Sequence, residues 1–156
     1  MITIYIDADS CPVKQEVYRV AGRYRLNVTL VCNSQMRLPD NVPARLVMVD
    51  GGLDAADDWI AENVTASDIV ITADIPLASR CLKKEAKVIG PKGHVFTEES
   101  IGDALAIREL MNHLRDLGEI GGGPAPFEKR DRSRFLHKLD EVTQAMLRER
   151  STPKTN

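Results

Sequence analysis

The chain has 156 residues, of which 43% are hydrophobic and 28% are charged, proportions typical of a soluble globular protein with a full core. Its 21 basic and 23 acidic residues give a formal net charge of -2, so no global field attracts nucleic acid and any polyanion site must be a local patch. There is no apolar run of the roughly 20 residues that span a bilayer, and the N-terminus lacks a basic signal-peptide region, so we expect a cytoplasmic protein that does not enter a membrane.

The first two thirds of the chain predict strands that alternate with helices. In order, the predicted elements are a strand at 4–6, a helix at 12–24, strands at 28–31 and 46–49, a helix at 54–63, a strand at 69–72, a helix beginning near 77 and a strand at 87–89. Strands that are apolar on both faces and alternate with helices are typical of a parallel sheet covered on two sides. The sequence therefore predicts a three-layer α/β domain.

Two further helices follow the predicted sheet. Residues 98–117 are predicted to form one long helix that stops at Gly118. A glycine-rich linker at 121–124 then leads to a last predicted helix at 132–149. The last helix has an apolar stripe that must cover either the domain itself or a second subunit, so an oligomer through this C-terminal helix is one of two alternatives. We expect a single domain over 1–150 that includes these helices, and a disordered tail at 151–156.

Two carboxylates follow the first strand directly. If the extended conformation persists, Asp7 and Asp9 point the same way, because residues two apart in a strand share a face. Two close carboxylates repel each other unless a cation, a proton or a basic partner lies between them, and a divalent metal is the simplest explanation. The alternative is that Asp9 belongs to a turn and only Asp7 is functional, or that neither is.

More acids lie where a parallel sheet brings its strand ends together. Asp54, Asp57 and Asp58 open the second predicted helix, and Asp74 follows the strand at 69–72. Ligands of open α/β sheets bind beyond the carboxyl ends of the strands. Several acids there, with no histidine or cysteine at ligand spacing, suit Mg²⁺ or Mn²⁺ rather than zinc.

Each of these acids also has a structural interpretation. Asp54 suits a helix N-cap and Asp57 a first turn, where the helix dipole favours negative charge by about 0.3–1 kcal/mol without any metal. Asp74 could likewise cap the helix before Pro76. Helical periodicity does not decide which of Asp54, Asp57 and Asp58 faces inward.

Ser10 and Cys11 precede the first predicted helix and suggest a nucleophile, because a helix N-terminus lowers a thiol pKa. A phosphate-loop cysteine phosphatase would need an arginine six residues later, where this chain has Val17. Capping by Ser10, with Pro12 in the first helical turn and Cys11 buried, is the preferred interpretation. The odd number of cysteines, three, argues against a disulfide framework.

Several basic side chains are candidates for contacts with substrate phosphates. Arg108 and Arg115 are seven residues apart on the long helix, Lys92 follows the last sheet strand, and Arg132 lies in a basic run with Lys129, Arg130 and Arg134. Packing of the last helix on the domain would bring Arg130, Arg132 or Arg134 toward the acids. A solvated helix start explains the run equally well.

With these residues in view, the chain resembles the YaiI/YqxD family of uncharacterised bacterial proteins, related to PIN-like nuclease domains, over nearly all of 2–150. The resemblance rests on Ile4-Tyr5-Ile6-Asp7-Ala8-Asp9, on Asp54-Ala55-Ala56-Asp57-Asp58-Trp59-Ile60, on Ile69-Val70-Ile71-Thr72-Ala73-Asp74-Ile75-Pro76, and on Gly121-Gly122-Gly123-Pro124 ahead of Asp131-Arg132. It implies a PIN-like α/β fold with an acidic metal site in which Asp7 and Asp74 hold the metal and Asp57 or Asp58 assists.

The leading functional hypothesis is a Mg²⁺- or Mn²⁺-dependent nuclease that acts on RNA or another nucleic acid. Asp7, Asp57 and Asp74 are the candidate catalytic residues; the candidate metal ligands are Asp7, Asp9, Asp58 and Asp74. One alternative is a phosphatase of the haloacid-dehalogenase type, with Asp7 as nucleophile, Asp9 as general acid and Thr72 supplying a hydroxyl. Another is a non-catalytic module that binds RNA or protein.

Overall fold

The computed structural model of the protein describes residues 2–50, 52, 54–118 and 126–151. The glycine-rich linker at 121–124 and the tail from 152 lie outside these residues. The strands are β1 (Thr3–Asp7), β2 (Asn27–Cys32), β3 (Ala44–Met48), β4 (Ile69–Ile71), β5 (Lys87–Ile89) and β6 (Val95–Phe96). The helices are α1 (Lys14–Tyr24), α2 (Ala55–Asn63), α3 (Ile75–Lys83), α4 (Glu98–Asp116) and α5 (Lys129–Ser151). No helix within the described ranges is long and apolar enough to cross a membrane.

One sheet joins all the described strands in the order β3-β2-β1-β4-β5-β6. The first five strands pair in parallel, and β6 pairs antiparallel with β5. The sequence prediction of a parallel sheet is confirmed. It missed β6, because a strand as short as Val95–Phe96 has too few residues for an alternating pattern.

Each face of the sheet has its own core. Ile4 and Ile6 of β1 pack with residues of α1 and α5, whereas Tyr5 packs on the opposite face with residues of α2 and α3. This alternation follows from the two-residue period of a strand. The predicted three-layer α/β architecture is confirmed.

The C-terminal helix α5 packs on the domain of its own chain. Phe135 and Leu139 are fully buried against the core that α1 shares with the sheet. The Asp140 carboxylate accepts hydrogen bonds from the Arg23 guanidinium and the Tyr24 hydroxyl of α1. Of the two alternatives for the apolar stripe, the structure therefore shows the first, coverage of the domain itself.

Candidate functional site

The strand order places a topological switch point between β1 and β4. The connection from β1 leads to β2 on one side, and the connection from β3 crosses over to β4 on the other. The crevice beyond the carboxyl ends of two such strands is the usual ligand site of an open α/β sheet. Asp7 ends β1 and Asp74 lies in the segment that leads from β4 into α3, so both lie at this crevice.

A third carboxyl, that of Asp57 in the first turn of α2, lies within electrostatic reach of the other two. Burial raises the pKa of Asp57 to about 6, and the negative charges of Asp74, Asp7 and Asp54 contribute to the same shift. Burial also raises the pKa of Asp7; a hydrogen bond from the Ser10 hydroxyl opposes this shift, while the charges of Asp9 and Asp74 add to it. We call Asp7, Asp57 and Asp74 the acidic cluster.

The two other acids at the start of α2 have different surroundings. Asp58 Oδ1 accepts a hydrogen bond of 2.7 Å from Arg80 Nη1 of α3, so its charge is paired. Asp54 is the N-cap residue of α2, but its side chain makes no capping hydrogen bond. Helical periodicity did not distinguish these acids. In the structure all three line one cavity with Asp74, but Asp58 is paired with Arg80, whereas burial and the charge of Asp74 raise the pKa of Asp57.

Asp9 does not continue the strand that contains Asp7. The chain turns into a short 3₁₀ helix at Ala8–Ser10, so of the two alternatives left open for Asp9 the structure shows the turn. Asp9 Oδ2 accepts a hydrogen bond of 2.7 Å from the Asn33 N–H, and Oδ1 accepts one of 3.4 Å from the Ser34 hydroxyl. These contacts give Asp9 a structural role in holding the end of β2.

Asp74 has the capping role that its position suggested. Its Oδ1 accepts a hydrogen bond of 2.9 Å from the Leu77 N–H in the first turn of α3, while its own N–H donates to Thr72 Oγ1 at 3.0 Å. The two bonds hold the carboxyl in place at the crevice. A cap and a ligand are compatible roles, because each carboxylate oxygen has more than one acceptor direction.

Ser10 and Cys11 do not begin α1. The helix starts at Lys14 with Val13 as its N-cap residue and no side-chain cap, so the predictions of a Ser10 cap and of Pro12 in the first turn are wrong. Burial raises the pKa of Cys11 to about 11. A thiol with this pKa stays protonated at neutral pH, which argues against a nucleophilic Cys11.

The basic candidates lie in three different places. Arg108 lines a cavity of about 310 Å³ together with Asp54, Asp57, Asp58, Asp74 and Arg80, which we call the acidic cavity. Lys92 lines a separate cavity at the same edge of the sheet. Arg132 donates to the Pro12 carbonyl oxygen at 2.6 Å and to Glu16 Oε1 at 3.1 Å, so it reaches the segment after β1 but pairs with α1. The side chain of Arg115 lies outside the described part of the structure.

The oxygen donors do not form a compact ligand set. Among the residues that the structure describes, no group of three or more histidine, cysteine, aspartate or glutamate side chains is arranged to hold a metal ion. The predicted ligands also differ in their partners: Asp9 and Asp58 are engaged elsewhere, while Asp7 and Asp74 flank the switch point.

Sequence reasoning missed Arg80, the cation that pairs with Asp58 and lines the acidic cavity. The two residues are 22 positions apart, and Arg80 lies off the apolar stripe of α3. A contact of this kind depends on how two helices pack on one face of the sheet. No spacing rule within one element could have found it.

The fold and the site define a class: a three-layer α/β protein with carboxylates at the switch point of its sheet. The family model described as uncharacterised, YaiI/YqxD family, matches residues 5–145. The chain belongs to the YaiI/YqxD family, and the resemblance found in its sequence motifs is confirmed.

Curated relatives cover nearly the whole chain. A UPF0178 protein of Rhodopseudomonas palustris strain TIE-1 is 56% identical over 150 residues, which cover 96% of this chain and 95% of the relative. One from Paramagnetospirillum magneticum is 58% identical over 142 residues, covering 91% and 94%. One from Rhodospirillum rubrum is 55% identical over 148 residues, covering 94% and 99%. No solved structure matches the chain.

Proposed function

We propose that the protein is a divalent-metal-dependent hydrolase of phosphodiester bonds in RNA or another nucleic acid. The observation that supports this most directly is the acidic cluster: Asp7, Asp57 and Asp74 come from three separate elements, and their charges act on one another near the ends of β1 and β4. Negative charges held near one another in a partly buried site destabilise the fold unless a bound cation or a proton offsets their repulsion. Their arrangement would suit the binding of a divalent cation together with an anionic substrate.

The donors of the acidic cluster suit Mg²⁺ or Mn²⁺. All are carboxylate oxygens, which hard divalent cations prefer, and no histidine or thiolate is among them. Mg²⁺ keeps several waters and is commonly held by one or two carboxylates together with substrate phosphates. A compact set of three protein ligands is therefore not required, and Asp7 and Asp74 would hold the ion, with Asp57 beside them.

Each residue of the site has a role in this proposal. A bound Mg²⁺ or Mn²⁺ would offset charge on the scissile phosphodiester and lower the pKa of a water. Asp57, whose pKa burial and the charges of Asp74 and Asp7 raise to about 6 in the metal-free site, is the candidate general base. Arg108 lines the same cavity, where its guanidinium can pair with a phosphate oxygen.

The haloacid-dehalogenase-type alternative has less support. In that mechanism Asp9 acts as a general acid and Thr72 supplies a hydroxyl to the phosphoryl group. Asp9 instead accepts hydrogen bonds from the segment after β2, and the buried Thr72 accepts one from the Asp74 N–H. The alternative of a non-catalytic module that binds RNA or protein also has less support, because it gives the acidic cluster no role.

A single-turnover assay tests the proposal. End-labelled single-stranded RNA and DNA are incubated with excess protein in Mn²⁺ or in EDTA. We expect cleavage that requires the metal and falls by about a hundredfold or more in Asp7→Asn and Asp57→Asn. The matched control is Asp40→Asn, because Asp40 is 93% exposed in a weak ion pair with Arg37 and lies outside the acidic cavity. Cleavage that survives EDTA, or that is unchanged in both cluster variants, would contradict the proposal.

A further inference from the structure

A second cavity lies at the same edge of the sheet as the acidic cluster. It has a volume of about 350 Å³ and is bounded by the segments that follow β1, β4 and β5 and by the segment that precedes α5. Its walls are mainly apolar and include Pro12, Ala73 and two aromatic side chains, Phe96 and Phe127. We call it the aromatic cavity.

The Phe127 ring is held by a contact with Arg132. The Arg132 guanidinium carbon lies 5.0 Å from the centroid of this ring, a cation–π contact. The same guanidinium donates to the Pro12 carbonyl oxygen at 2.6 Å and to Glu16, which fixes it between α5 and α1. One wall of the aromatic cavity is therefore preorganised by the docking of α5.

The part of the cavity lined by Phe96 is also closely packed. A Cβ at Gly90 would lie 3.4 Å from Cε2 of Phe96, so the ring packs closely over the glycine backbone. Gly93 has a φ of +92°, and a Cβ there would lie 3.0 Å from the backbone carbonyl carbon of Arg134. The loop between β5 and β6 thus packs directly on the start of α5.

Residues that line the aromatic cavity are neighbours of residues in the acidic cluster. Ser10 lines the cavity and its hydroxyl hydrogen-bonds to Asp7, and Ala73, also in the lining, directly precedes Asp74. Lys92 and His94 line it as well and supply basic groups. An apolar cavity with aromatic walls, basic groups in its lining and a phosphate-handling site next to it matches the chemistry of a nucleotide, which joins a flat aromatic base to an anion.

We propose that the aromatic cavity binds one unpaired base of the nucleic acid strand whose phosphodiester lies at the acidic cluster. The inference rests on the proposed function for the position of the phosphate. A base in a duplex is stacked and paired, so it cannot enter a side cavity without being extruded. The protein therefore selects single-stranded segments, and it does so through Phe96 and Phe127.

The test measures binding without turnover. Fluorescence anisotropy in EDTA compares a labelled single-stranded oligonucleotide with an abasic strand of the same length and with the same number of phosphates. We expect the wild-type protein to bind the strand with bases about tenfold or more tightly than the abasic strand. Phe96→Leu and Phe127→Leu keep apolar volume but remove a ring, and each should lose most of this preference. Trp59→Leu is the control, because Trp59 packs with Tyr5 and Arg45 and is not part of the cavity lining.

Two results would overturn the inference: equal affinity of the wild-type protein for both strands, or an unchanged preference in both phenylalanine variants. The first comparison uses the wild-type chain alone, so it holds even where a variant folds poorly. Base-dependent binding without any metal-dependent cleavage would leave the aromatic cavity established and the proposed hydrolase wrong. Metal-dependent cleavage of the strand with bases and of the abasic strand at equal rates would support the proposed hydrolase and contradict base binding in the aromatic cavity.

Discussion

Burial and the negative charge of Asp74 act together on Asp57 and raise its pKa to about 6, although Asp57 lies in α2 and Asp74 is the N-cap residue of α3. The sequence separates them by 17 positions and an entire strand. Their proximity is a consequence of the crossover from β3 to β4, which brings the start of α2 to the crevice where α3 begins. The electrostatics of the site therefore depend directly on the topology of the sheet.

Replacing Asp57 should stabilise the metal-free protein at neutral pH. The pKa of Asp57 is higher in the folded protein, at about 6, than the usual 3.8, so the folded state binds its proton more tightly. The stability contributed by this group is complete below about pH 4 and is lost as the pH rises through about 6. Asp57→Asn should raise the free energy of unfolding at pH 7 by about 1 kcal/mol, a value reduced for solvent screening, and leave it unchanged at pH 4.

Urea unfolding in EDTA at both pH values measures this difference. The control is Asp58→Asn, which removes a carboxylate paired with Arg80 and should stabilise the protein at neither pH. An Asp57→Asn protein that is less stable than the wild type at pH 7 would show that the carboxyl is not under electrostatic stress.

How much of this site the sequence could predict depends on how local each interaction is. The burial of β1 on both faces was predicted, and a cap by Asp74 was one of the two interpretations of that residue; both follow from short-range rules. For Asp9 the sequence left two alternatives, a continued strand and a turn. The structure shows a 3₁₀ turn at Ala8–Ser10, which periodicity alone could not select.

The choice among the acids of α2 was beyond sequence reasoning for a different reason. Asp57 and Asp58 are adjacent, both polar and both in a first helical turn, so propensity and dipole arguments treat them alike. Only the packing of α3 against α2 places Arg80 beside Asp58. The negative charges of Asp74 and Asp7 act on Asp57 instead. Long-range contacts of this kind have no signature within a single element.

The C-terminal helix should be part of the cooperative fold. Leu139 of α5 is fully buried, so Leu139→Ala should lower the free energy of unfolding by about 3 kcal/mol. Leu110→Ala on α4 is the matched control: Leu110 is 55% exposed, and its loss should change stability by about 0.5 kcal/mol at most. Chemical denaturation followed by circular dichroism gives both values. Equal effects of the two substitutions would mean that α5 does not contribute to the core.

Asp7 should act as a ligand and not as a nucleophile. Beryllofluoride mimics an aspartyl phosphate, and ¹⁹F NMR detects its adduct on a nucleophilic carboxylate. We expect no adduct and no turnover of small phosphomonoesters. An adduct that forms on the wild-type protein and disappears in Asp7→Asn would instead support the haloacid-dehalogenase-type mechanism.

Arg108 should contribute to phosphate binding. In EDTA, Arg108→Gln should weaken the binding of a single-stranded oligonucleotide and lower the slope of log affinity against log salt by about 0.7, the loss of one phosphate contact. Arg37→Gln is the control, because the Arg37 side chain is 91% exposed and lies outside the acidic cavity. If both variants show the same salt dependence as the wild-type protein, Arg108 does not contact the nucleic acid.

The central claim is that Asp7 and Asp74 hold a divalent cation beside Asp57, and calorimetric titration with Mn²⁺ tests it most directly. We expect a single Mn²⁺ to bind at pH 7.5, with affinity falling at pH 5 because Asp57, with a pKa of about 6, is then protonated. Asp7→Asn and Asp74→Asn should each weaken binding about tenfold or more. Asp57→Asn should weaken it less, because only a neighbouring charge is lost, and Asp40→Asn should leave it unchanged. Absence of Mn²⁺ binding to the wild-type protein would contradict the claim. So would an affinity equal to that of the wild-type protein in both Asp7→Asn and Asp74→Asn.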